Sequence, residues 1–221
     1  ASGLILDTQG DDRASESGRE IHLEHGGRWS EADIGTNAIG TAVALARPVQ
    51  INGAEHFCTK VQRWTCAASP IRHPSDGEII GVVDISGPAQ YFSSQNLTLA
   101  MIMSEYIQSL LAGSCKYDRE CLLNYFRSKQ PKWLNDEVLV VDRRGEIVHA
   151  TDNARKLAMR SPSGILKGDS LPVLRDLPFD QWQSRLRDLF PGANTDMVRA
   201  NECELGALVV FRNQKRPHNK P

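Results

Sequence analysis

Between Gly35 and Ser86 the chain joins a run of small residues, Gly35-Thr36-Asn37-Ala38-Ile39-Gly40-Thr41-Ala42, to a nearly continuous apolar segment, Ile79-Ile80-Gly81-Val82-Val83-Asp84-Ile85-Ser86. Ala38, Ile39, Ala42, Val43, Leu45 and Ala46 recur at helical spacing and share one face. Thr36 or Asn37 can cap this helix by accepting a backbone N–H, and Pro48 stops it by excluding the helical conformation from the residue before. Gly40 costs a helix about 1 kcal/mol relative to Ala, so it signals either plain helix-to-sheet packing or close approach of another backbone or a ligand. Val49 and Ile51 form a short strand, and Pro74-Ser75-Asp76-Gly77 turns the chain between two antiparallel strands. The second of these, Glu78 to Ser86, is expected to be central and covered on both faces. A helix followed by antiparallel strands predicts an α+β domain.

Around this unit, Leu4-Ile5-Leu6 reads as a strand, Asp11 to Arg19 as an exposed loop, and Ile21 and Leu23 as a second short strand. A helix capped by Ser93 or Ser94 runs to about Leu111. It carries two apolar faces: Leu97, Ala100, Met101 and Ser104 on one, and Leu99, Met103, Tyr106 and Leu110, at four-three-four spacing, on the other. The second face suits a dimer seam or burial within one subunit. Gly113-Ser114 should interrupt the helix, after which Tyr117, Cys121, Leu122, Tyr125 and Phe126 continue a helical stripe to Pro131. Strands follow at Glu137 to Asp142 and Glu146 to Ala150, then a helix from Asn153 to Met159 with Asp152 as cap, a helix from Phe179 to Phe190, and strands at Met197-Val198 and Leu205 to Phe211. The organisation expected is therefore a sensor domain over 1–112, a helical linker over 113–135, a smaller α+β domain over 136–212 and a linker tail over 213–221. Because the chain starts at Ala1 and enters a strand-like run almost at once, it is expected to be a fragment of a longer protein.

Several functions are disfavoured. With 26 basic and 27 acidic residues the net charge is -1, which lacks the electrostatic footprint of nucleic-acid binding, so no direct nucleic-acid contact is expected. Five scattered cysteines do not resemble a disulfide framework and fit a reducing, cytoplasmic setting. No apolar run approaches the roughly 20 residues that span a bilayer, so no membrane association is expected. Neither a Gly-x-x-x-x-Gly-Lys-Ser/Thr phosphate loop, a His-Glu-x-x-His pair nor a Gly-x-Ser-x-Gly elbow occurs. The expectation is a protein that is not an enzyme, with no catalytic residue, no metal and no cofactor.

The side chains that carry chemistry cluster in the first domain. His56, Cys58, Cys66 and His73 include zinc- and iron-ligating types, but without a Cys-x-x-Cys pair a packing and hydrogen-bonding role is favoured. The sharper alternative is a redox sensor with an accessible thiolate. Asp84 lies in an apolar strand, where a carboxylate is expensive unless partnered; Arg72 is one candidate partner, and a role as acceptor on a pocket floor is the other reading. Trp64 is either a lid over the core or a ligand contact. The candidate ligand-binding set is Asn37, His56, Phe57, Trp64, Cys66, Ser69 and Asp84.

The segments Trp29-Ser30-Glu31, Ile34 to Ala42, Arg47-Pro48-Val49-Gln50, Gly53 to Phe57, Trp64-Thr65-Cys66 and Gly81 to Pro88 resemble the GAF domain of sigma-54-dependent transcriptional activators. The likeness is to the branch of the acetoin-catabolism and dihydroxyacetone-operon regulators, and covers residues 29 to 111. It implies a six-stranded antiparallel sheet flanked by helices, with a pocket for a small effector or a partner protein. Residues 137 to 150 resemble the opening of a PAS domain, although the later part has fewer strands than that pattern. The fold class expected is thus α+β: a GAF-type antiparallel sheet flanked by helices, a helical linker, then a smaller PAS-like α+β domain. The resemblance implies the signal-sensing region of such an activator without its ATPase and DNA-binding domains. Its expected partners are a small-molecule metabolite effector or a metabolic-enzyme subunit, and a second copy in a homodimer. Two alternatives remain open: a protein-docking module with no small-molecule ligand, and a GAF-fold thiol sensor or enzyme using Cys58 or Cys66.

Overall fold

The computed structural model describes residues 2–91, 93–130, 136–160, 166, 168–200 and 203–212. They fall into two compact units, Ala1–Gly113 and Ser114–Pro221.

In the first unit, α1 (Asp12–Arg19) occupies the segment expected to be a loop. Asp11 caps it by accepting from the backbone N–H groups of Arg13 and Ala14 at 3.0 and 3.2 Å, which satisfies donors that a polar sequence otherwise leaves to water. Leu4 to Leu6 is not a strand: Leu4 makes an isolated bridge with Arg28, and Ile5 exchanges backbone bonds with Gly26 and Gly27. Ile21 and Leu23 likewise lie outside any strand.

After the single turn α2 (Glu31–Ile34) comes α3 (Ala38–Leu45), the helix of small residues. Asn37 is its cap: Oδ1 accepts from Gly40 N and Nδ2 donates to Gly35 O, both at 2.8 Å. A Cβ on Gly40 would lie 2.6 Å from Glu31 N and 2.9 Å from Trp29 O, so this glycine answers to a crossing backbone. The sheet consists of β1 (Val49–Asn52), β2 (Trp64–Arg72) and β3 (Ile79–Pro88), antiparallel in the order β1-β2-β3. Three strands stand among the described residues where the resemblance implied six, and the strand expected to be central is at the edge. The central strand is β2, rich in Ala and Ser, and its residues from Trp64 to Pro70 are all buried.

Helix α4 (Gln95–Lys129) runs through Gly113-Ser114 without interruption. A glycine costs a helix about 1 kcal/mol, too little to break one with intact turns on both sides. Within the first unit α4 is tied to β2: Ser69 Oγ donates to Ser104 Oγ at 2.8 Å, since Ser104 spends its own hydrogen on Met101 O, and Gln108 accepts from Arg72 N at 2.9 Å. Leu99, Met103, Tyr106 and Leu110 are left between 43% and 63% exposed.

The second unit is built on β4 (Glu137–Asp142), β5 (Ile147–Ala150), β6 (Asn194–Ala200) and β7 (Cys203–Phe211), antiparallel in the order β5-β4-β7-β6. Side chains alternate across a strand. Leu139, Val141, Ala207 and Val209 therefore pack with α5 (Asp152–Met159) and α6 (Phe179–Leu189), while Val138, Val140, Leu208 and Val210 meet Leu122 and Phe126 of α4. Thr151, rather than Asp152, stands at the N-cap of α5, and its hydroxyl donates to Glu137. The tail 213–221, and residues 131–135 of the expected linker, lie outside the described residues.

Candidate functional site

A cavity of about 850 Å³ lies in the first unit between the start of the chain and the sheet. Its outer wall is the extended segment Ser2 to Asp11 with Ala14, Ser15 and Gly18 of α1. Its inner wall is made by Ile39 and Val43 of α3, by Trp64 and Ile71 of β2, and by Ile107 and Leu111 of α4. The floor is β3: alternation along a strand brings Ile80, Val82, Asp84 and Ser86 to one face, and all four line the cavity.

Asp84 is the polar centre of this floor. Its Oδ2 accepts from Ser86 Oγ, whereas Oδ1 is inaccessible to solvent and has no hydrogen-bond partner. Burial pushes the carboxyl up to about 7, with the Ser86 hydrogen bond pulling the other way. Arg72 is not its partner, because that guanidinium donates to Gly77 O and Ala46 O at 3.0 and 2.6 Å. Cys66 stands across the sheet from Ser86. Burial, and next the nearby Asp84 charge, push its thiol up, against a lowering hydrogen bond from Ser86. Cys66 is consequently a protonated thiol at neutral pH and lacks the thiolate that redox sensing requires.

The seven candidate ligand residues are dispersed. Trp64 and Asp84 line the cavity, and Cys66 lies on the same face of β2 as Trp64. Ser69 faces the opposite side and is consumed by Ser104. Asn37 is a helix cap. His56 is buried outside the cavity lining; its Nδ1 sits 3.0 Å from Gly53 O, so it carries the proton, and burial lowers its pKa and keeps the ring neutral. Phe57 is 78% exposed, with its ring over Gly35, where a Cβ would come within 2.6 Å of it. Among the described residues no group of three or more His, Cys, Asp or Glu could hold a metal ion, and no helix is long and apolar enough to cross a membrane. Ser86, Val82 and Ile39 belong to the site although sequence reasoning did not select them; residues two apart in the Asp84 strand were the available signal.

The family described as "MimR, N-terminal domain" matches residues 1–108. An uncharacterized 47.3 kDa protein in the thcA 5' region of Rhodococcus erythropolis is 44% identical over 204 residues, 86% of this chain and 45% of that protein. The acetoin dehydrogenase operon transcriptional activator AcoR of Bacillus subtilis is 35% identical over 126 residues, 57% of this chain and 21% of AcoR. The propane 2-monooxygenase operon transcriptional activator MimR of Mycolicibacterium smegmatis is 35% identical over 134 residues, covering 60% and 23% of the two chains. The chain thus spans less than half the length of these curated relatives. Among solved structures, a chain of the Escherichia coli DhaR(N)-DhaL complex superposes with a TM-score of 0.54 at 18% identity, covering 96% of this chain and 76% of that one, which establishes a shared fold. Over residues 1–108 the chain is thus similar to the MimR N-terminal domain family.

Proposed function

We propose that this chain is the signal-input region of a cytoplasmic, sigma-54-dependent transcriptional activator, with a GAF-type sensor as its first unit and a PAS-like second unit. The cavity above Asp84 carries the reading: it is of ligand size, mostly apolar, and holds one unsatisfied polar group, the usual make-up of a small-molecule site. Two of the relatives are named as transcriptional activators of catabolic operons, which supports an effector drawn from metabolism. An effector that fits one conformation of the first unit better shifts its population, and α4 is the element that leaves that unit. The exposed stripe Leu99, Met103, Tyr106 and Leu110 has the spacing of a helical seam and pairs with the same stripe of a second copy.

Filling the cavity tests the coupling without knowledge of the effector. Val43→Phe, which projects a ring into the space, should change amide hydrogen exchange along residues 95–111; unchanged exchange there means that the cavity does not speak to the helix. For the seam, native mass spectrometry should show a dimer that Met103→Glu converts to monomer, and a monomeric wild-type chain at tens of micromolar removes it. A second reading is docking of a metabolic-enzyme subunit. It is supported by the neighbour of like fold, which was solved as a complex of DhaR(N) with DhaL.

A further inference from the structure

We propose that residues 4–7 are a strap that closes as a fourth strand on the free edge of β3, antiparallel to it, and fills the cavity of the first unit. Under the effector-binding reading, on which this last step alone rests, the strap is a tethered competitor for the space that an effector would occupy.

The space has the shape of a slot for a strand. Among the described residues no strand pairs with the outer edge of β3. The cavity wraps that edge on both faces of the sheet: Val82, Asp84 and Ser86 share the face of Cys66, Ala68 and α3, whereas Gly81 and Ile71 lie on the face of Ser69 and α4. Alternate side chains of a strand enter opposite layers, so an edge open on both faces calls for a short, continuously apolar segment. Leu4-Ile5-Leu6 is such a segment, and it lines the cavity. Leu4 and Leu6 are 46% and 75% exposed, which leaves apolar surface to bury on closure. Gly3 and Ile5 already bond through their backbones to Trp29, Gly26 and Gly27, so the strap is held at its start.

The second unit shows the closed arrangement in the same sequence pattern. Leu4-Ile5-Leu6-Asp7-Thr8-Gln9-Gly10 parallels Leu139-Val140-Val141-Asp142-Arg143-Arg144-Gly145, and Ile80-Gly81-Val82-Val83 parallels Leu205-Gly206-Ala207-Leu208. There the opening strand β4 pairs antiparallel with the last strand β7, with Asp142 opposite Gly206 and Val141 opposite Ala207. Gly206 answers to that neighbour, since a Cβ on it would collide with the carbonyl oxygen of Val141. A Cβ on Gly81 would meet only Ile71 Cδ1 at 3.5 Å, so nothing in the open arrangement requires a glycine there. Matching the two glycines places Asp7 opposite Gly81, Leu6 opposite Val82 and Leu4 opposite Asp84. The turn that follows is also unmade in the first unit. Asp142 accepts from Arg144 N and Glu146 N at 2.9 and 3.0 Å and Gly145 takes a φ of 78°; Asp7 accepts only from Thr8 N and Gln9 Nε2, and Gly10 has no positive φ. Closure in this register turns the segment over, carrying Leu4 and Leu6 to the α3 side of the sheet and Ile5 to the α4 side.

Disulfide trapping in the full chain tests the closed strand. Leu6→Cys with Val82→Cys puts two thiols at directly opposite positions, about 5 Å apart between Cα atoms once closed, which is within disulfide reach. Under mild copper-phenanthroline oxidation and peptide mapping, the 6–82 link should form about tenfold faster than the 5–82 link of Ile5→Cys with Val82→Cys, whose side chains then lie on opposite faces. Gly81→Ala fits the open arrangement and should leave Tm unchanged, yet slow the 6–82 link about tenfold because the added methyl meets the incoming backbone. A 6–82 link that does not form, or forms no faster than 5–82, overturns the proposal, and so does an unchanged rate in Gly81→Ala; the sensor reading then still stands on Val43→Phe. With the 6–82 link closed, amide exchange along residues 95–111 should change as it does in Val43→Phe, which fills the same space. An effect of Val43→Phe that the link fails to reproduce removes the competitor role, whereas a rapid link beside an inert Val43→Phe keeps the strap and removes the effector reading.

Discussion

The two sheets of this molecule obey the same alternation and end in different interiors. In the second unit, β4 and β7 carry Leu139, Val140, Val141, Leu208, Val209 and Val210, large enough to fill both faces against helices. In the first, β2 carries Ala67, Ala68 and Ser69 and β3 carries Gly81, and the face toward the chain start encloses a void. An apolar strand is thus no evidence of a filled core. What decides is the volume its neighbours bring, since interiors with no large side chains to close them stay open.

The most direct test of this contrast is truncation. Leu139→Ala, at a fully buried site, should cost about 3 kcal/mol in urea unfolding, because a close-packed interior relaxes little around the hole. Ile39→Ala, which only enlarges an existing void, should cost about 1 kcal/mol. Equal losses would break the comparison. Next is the pH dependence peculiar to the hollow unit. The Asp84 carboxyl sits at about 7 when folded against an ordinary 3.8, so the folded state holds the proton more tightly and loses stability as pH rises between those values. Asp84→Asn should match the wild type near pH 4 and exceed it above pH 7 by on the order of 4 kcal/mol, read as a higher Tm at pH 8. A wild-type advantage at pH 8 would mean that Asp84 has a cationic partner. In the filled unit, Tyr125 OH donates to Asp196 Oδ2 at 2.8 Å, so Tyr125→Phe should cost about 1 kcal/mol with little dependence between pH 6 and 9. The smallest effect is chemical: under a thiol-labelling reagent, exposed Cys203 should react first and Cys66 last. Fast modification of Cys66 would restore the redox alternative.

Much of the fold was legible because local chemistry and tertiary structure agree. Pro74 to Gly77 does join two antiparallel strands, Asn37 does cap the small-residue helix, and the apolar run at 137–142 is a buried strand. The cavity was harder to read because half of its wall comes from a segment with little apolar signal. Asp11 to Arg19 looks like a loop until the cap bonds of Asp11 are seen, and residues 4–6 lie beside the sheet without joining a strand ladder. Asp84 was singled out correctly as the costly group, but its partner was sought in Arg72 when a hydroxyl two residues along the same strand supplied it. Phe57, selected with His56 as a candidate ligand contact, is mostly in solvent.

The absence of any cation among the described lining residues has a consequence at the level of the cell. A molecule with no charge to strip of water crosses a lipid bilayer unaided, at a rate set by its hydrocarbon content. A receptor for such a molecule needs no importer upstream of it, because the concentration inside a cell follows the supply outside.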